Sequence, residues 1–215
     1  MKSRAARLGF LVATPLGLAV VLWFHPHADG DTLYSSLRDE VPAMLAVHIT
    51  MLFFIPLMAL AAFVLLNGVQ GRAATVGRWA LGAFVVFYTA WEVSVGLVTG
   101  FLTDYANGLD AQGQAAIADA IEHHNGNFLI GDASITLLIG GTGWIVAMVA
   151  AAIALRGEGG SRLVAALIAC ASLFALHPPP IGPIGLICFA AGVALFERTR
   201  ARAAAHAPAE LSLTT

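Results

Sequence analysis

Few side chains in this sequence can do chemistry: Glu92, Asp132 and the histidines His25, His27, His48, His123, His124 and His177. Glu92 lies within Trp79 to Leu102, a run with no other charge and long enough to cross a bilayer. At about 1.5 Å of rise per residue it falls near mid-depth. A carboxylate there is costly to desolvate, and such groups mark functional pathways more often than packing contacts. Its bland alternative is a protonated acid hydrogen-bonded to a neighbouring helix. The histidines, with Glu122 and Asp132, supply the imidazole and carboxylate donors that zinc, copper or haem iron uses.

The spacing of these donors matches no standard metal motif. HExxH is absent, and His25-Pro-His27 alone is a weak signal that solvated loop histidines also produce. Met44, His48, Met51 and Met58 lie near one face of a helix, a set that suits copper(I) but more commonly packs a core. Serine proteolysis inside the membrane would need a GxSG, which Gly131-Asp132-Ala133-Ser134-Ile135 lacks. Gly140-Gly141-Thr142-Gly143 has no following lysine and is no phosphate loop. Cys170 and Cys188 fall in separate apolar runs and read as packed thiols.

The elements that must position these residues are transmembrane helices. Hydrophobic residues make up 59% of the chain and charged residues 11%, with mean hydropathy +0.81, far from a soluble domain. The expected fold is all-α: one polytopic membrane domain over residues 1–198, with a disordered cytoplasmic tail at 199–215. Six spans are expected, at about 8–24, 42–66, 79–102, 133–155, 163–177 and 181–196. The last two are short and meet at the corner His177-Pro178-Pro179-Pro180, through which no helix continues. Gly71 to Arg78 reads as a short basic loop. Asp31 is placed to cap a short helix, and Asp110 to His124 reads as another short helix, stopped at Asn125-Gly126.

Six spans put Lys2, Arg4 and Arg7, Arg72 and Arg78, Arg156 and Arg162, and Arg198, Arg200 and Arg202 on one side, with Arg38 alone opposite. That is the positive-inside pattern of a multi-pass plasma-membrane protein with both termini cytoplasmic. The six candidate histidines then fall on or near the outer face. Helical rise places His48 roughly 10 Å below the outer end of span two and Glu92 roughly 15 Å down. The fifth span reaches only about 22 Å into a hydrocarbon core of about 30 Å, which leaves His177 recessed to a similar depth. Tyr88, Glu92, Gly96, Thr99 and Thr103 share one helix face, a polar stripe that should avoid lipid.

Three functions fit these residues. One is a membrane enzyme or redox component whose outward-facing pocket binds a metal or metallo-cofactor through some of the six histidines, with Glu92 handling protons at the base. Another is a metal-independent acid–base enzyme that uses Glu92 and Asp132 on a lipid-soluble substrate. The third is a small proton-coupled carrier or accessory subunit, although no internal repeat is visible. The expected partners are the bilayer and a metal ion or lipid-soluble small molecule. A net charge of −2 without a basic stripe offers nothing to nucleic acid.

Overall fold

In the computed structural model, which describes residues 4–27 and 30–206, every regular element is helical. Long apolar segments take this form because a helix satisfies its own backbone hydrogen bonds where water is absent. Five helices are long and apolar enough to cross a membrane: α1 (Arg4–Trp23), α3 (Val41–Leu65), α4 (Arg72–Asn107), α6 (Ile135–Gly157) and α8, which is apolar over Ile181–Arg202 and continues to His206. A shorter apolar segment, α7, runs as α-helix over Arg162–Cys170 and as a 3-10 turn over Ala171–Ala175. Two further helices lie in the connections, α2 (Leu33–Leu37) and α5 (Ala111–Asn125).

The long helices and α7 close a ring, with α1 packed on α3 and α8, α7 between α8 and α6, and α4 between α6 and α3. Side-chain caps start the shorter elements and α6. Thr32, Asp110, Ser134 and Ser161 each accept a backbone N–H from the first turn that follows. Arg78 donates to the carbonyls of Leu66 and Val69 at 2.6 and 2.7 Å, which ties α4 to the end of α3. At the same end of the bundle, Arg7 pairs with Glu197 at 3.1 Å and joins the first helix to the last.

Several boundaries differ from those expected. The basic segment at 71–78 is helical from Arg72, because Gly71 at φ 103° turns the chain directly into α4. Residues 199–206, expected to be disordered, continue α8; the rest of the expected tail, 207–215, lies outside the described residues. The cap of α2 is Thr32, not Asp31, because Ser35 completes a reciprocal capping box with it. α4 is also not uniformly α-helical. It widens into π turns at Phe84–Tyr88 and at Glu92–Val98, and the second begins at the buried carboxylate. Such turns break no sequence pattern and often mark functional positions.

Glycines bring α6 against α4. A Cβ on Gly140 would lie 2.5 Å from the Tyr88 backbone nitrogen, and one on Gly143 would lie 2.9 Å from the Ala80 carbonyl oxygen. Neither obstacle can rotate away. Gly140→Ala is therefore expected to cost about 1–3 kcal/mol by forcing the helices apart. Gly157→Ala, where nothing lies within 4 Å, should leave stability unchanged or slightly raised. Thermal unfolding of the two variants in one detergent checks this contrast.

Candidate metal centre

His25, His48 and His177 are brought together from three separate parts of the chain. His25 follows α1, His48 comes from the second turn of α3, and His177 follows the 3-10 turn that ends α7. One nitrogen from each lies within 4.8 Å of the others. The ring centroids are 5.0 Å apart for His25 and His48, 4.8 Å for His25 and His177, and 6.4 Å for His48 and His177. A tetrahedral metal bonded at about 2.0–2.1 Å holds its imidazole centroids roughly 5 Å apart, so the cluster needs only slight contraction.

Hydrogen bonds on the far side of the rings fix the tautomer of two of them. His48 Nδ1 lies 2.8 Å from the Met44 carbonyl oxygen, and His25 Nδ1 lies 2.8 Å from that of Pro26. A carbonyl only accepts, so both Nδ1 atoms carry protons and both Nε2 atoms keep lone pairs. His177 Nδ1 lies 3.2 Å from the Tyr88 hydroxyl, which donates onward to the Ala175 carbonyl at 3.4 Å and leaves its oxygen able to accept. His48 and His25 are thus held in the tautomer that presents Nε2, and His177 presents an Nε2 lone pair when the Tyr88 hydroxyl accepts from its Nδ1, as in metal sites where an outer partner orients each imidazole. Burial also lowers the basicity of His25, which favours the neutral, ligating form. The Nε2 atoms of His25 and His177 lie 3.0 Å apart, a separation that a hydrogen bond between the rings satisfies and that a shared cation would replace.

Glu92 lies beside this cluster and is 1% exposed. Its Oε2 is 3.7 Å from His48 Nε2, and its Oε1 is 3.7 Å from His177 Nδ1. Among the described residues neither oxygen has a hydrogen-bond partner, a costly state for a buried carboxylate. The carboxylate therefore faces the His48 Nε2 lone pair across a gap that a cation, with or without a water, would bridge, and it lies on the Nδ1 side of His177. Gly96, one turn along α4, makes room for the arrangement, because a Cβ there would collide with the His48 ring.

The cluster lines a cavity of about 360 Å³ whose other walls include Met44, Trp91, Leu137, Ala175 and Leu176. Met51 and Met58 are instead packed in the hydrophobic core, so the methionine stripe does not converge on the histidines. The remaining candidates lie elsewhere. His27 and His123 are exposed. His124 bonds the Ser94 hydroxyl and backbone carbonyl at 3.1 and 3.0 Å and fastens α5 to α4. Asp132 is exposed at the rim of the cavity, and its backbone carbonyl accepts from the Trp91 indole at 3.1 Å.

Tyr88 and Met44 enter the site through roles that the sequence reading did not assign. The signal for Tyr88 was present, since it precedes Glu92 by one helical turn on the polar stripe. The Met44 carbonyl had none, because backbone acceptors carry no residue code. Comparison of the chain with known protein families, with characterised proteins and with solved structures finds no match.

Proposed function

We propose that this is a six-span plasma-membrane protein, with both termini cytoplasmic, that holds a zinc ion through His25, His48 and His177 and uses it for hydrolysis. The observation that carries the reading is the convergence of half-buried His25 with buried His48 and His177, each with a ring nitrogen within 4.8 Å of the others, beside a carboxylate that has no hydrogen-bond partner among the described residues. Three histidines with an open fourth position form a catalytic zinc set, in which the metal makes bound water acidic enough to ionise near neutral pH. Glu92 is close enough to take that water's proton. The basic residues at one end of the bundle support the orientation, and the cavity then opens outward.

Other chemistries are less well supported by the same geometry. The Nε2 atoms of His25 and His177, 3.0 Å apart, are too close to ligate one porphyrin iron from its two faces. Copper(I) would want thioethers that two of the methionines have committed to the core. An acid–base pair of Glu92 and Asp132 would set an exposed rim carboxylate to work with a buried one, and would leave the three-ring cluster unused.

Metal analysis of protein purified in mild detergent without chelator or metal-affinity resin tests the proposal. About one zinc per chain is expected. Protein that contains no stoichiometric transition metal, and takes none up on dialysis against zinc, would overturn it.

A further inference from the structure

A second cavity, of about 360 Å³, lies against the histidine chamber from the side. The two share Leu137, Ala175 and Leu176 as common walls. From there the groove follows α6 past Leu138, Gly141 and Ile145. Leu138 and Ile145 are exposed on a helix apolar enough to cross a membrane, so the groove opens toward lipid and not toward water. A third, polar cavity adjoins the chamber on another side, with Leu33, Val95 and Asp132 as common walls. Its lining includes the carboxylates of Asp31, Glu122 and Asp132 and has no lysine or arginine among the described residues.

We infer that the substrate is an amphiphilic ester whose acyl chain lies in the α6 groove and whose uncharged or cationic head group occupies the polar mouth. This rests on the zinc-hydrolase reading and specifies its substrate class. A molecule that spans these three adjoining spaces would carry its ester linkage past His25, His48, His177 and Glu92, where the polar and apolar walls meet. Three carboxylates at the mouth disfavour a phosphate head group by like-charge repulsion. The reaction balances with water alone. Water adds to the carbonyl carbon and gives a proton to Glu92, the acyl–oxygen bond breaks, and Glu92 passes the proton to the departing alkoxide, leaving a fatty acid and an alcohol.

Gly141 offers the means to test the groove. It lies away from the histidines, and a Cβ there meets only the side chains of Leu137 and Ala175, at 3.8 and 3.9 Å. The larger Gly141→Leu side chain is accordingly placed to fill the groove without forcing the helices apart. Native protein in nanodiscs is compared with this variant for hydrolysis of monoacetyl- and monopalmitoyl-glycerol, with zinc content measured on the same samples. Native protein should prefer the long chain. Gly141→Leu should lower the palmitoyl-to-acetyl rate ratio about tenfold or more, the scale on which a pocket discriminates a methylene or two, at a zinc content equal to that of native protein.

Photocrosslinking with a diazirine-bearing palmitoyl ester should label α6 of the native protein near Leu138 to Ile145, and Gly141→Leu should remove the label. Zinc-loaded native protein with no chain-length preference and no label on α6 would overturn the groove assignment while leaving the metal centre standing. Native protein without zinc would instead remove the reading on which the assignment rests.

Discussion

His48→Ala should abolish stoichiometric zinc binding and, with it, any stabilisation by added zinc. His48 is one of only three imidazoles in the cluster, and its Nδ1 bond to the Met44 carbonyl shows how fully the ring is committed to one orientation. Losing an outer partner of a metal ligand typically weakens affinity about 10–100-fold, and losing the ligand itself removes more. A metal that binds only the folded state at 100 times its dissociation constant stabilises by about 2.7 kcal/mol. Zinc titrated during thermal unfolding should therefore raise the midpoint of native protein and leave that of His48→Ala unmoved. His123→Ala should keep the native response, because that side chain is exposed and outside the cluster. An equal zinc response in native protein and His48→Ala would count against the assigned ligands.

What could be read from the sequence was level along each helix, and the reason is geometric. A fixed rise per residue places any side chain along a helix once the ends of the apolar run are known. The levels estimated for His48, Glu92 and His177 describe residues that the structure does bring into one pocket. Neighbour order has no such ruler. Nothing in the spacing distinguished His25 from His27, two residues apart in one turn; the distinction comes from the path that leads the chain off α1 and turns one ring inward. The polar loop histidines looked equivalent to the buried ones in composition, yet His124 spends its ring on Ser94. The π turns of α4 were invisible for a different reason. They depend on how α4 packs against α3 and α6, a tertiary cause that no local residue preference encodes.

Glu92→Gln separates the catalytic role of this carboxylate from a merely structural one. Glutamine has nearly the same shape, so the packing of α4 against the histidines is preserved, but it can neither take nor return a proton. If Glu92 is the base for water at the metal, turnover of the long-chain ester should fall by about 10²–10⁴-fold, the usual contribution of a positioned acid–base group. Zinc content should stay near one per chain, because the three imidazole ligands are untouched. Stability should hold or rise, since the native oxygens have no hydrogen-bond partner among the described residues and a neutral amide is cheaper to bury than a carboxylate. An interhelical role makes the opposite forecast: catalysis would survive in whatever protein remained folded. Measuring zinc content, unfolding midpoint and ester turnover on one preparation distinguishes the two, because only the catalytic role separates loss of rate from loss of fold or metal. A Glu92→Gln protein with native zinc and native turnover would leave the buried carboxylate without a part in the chemistry.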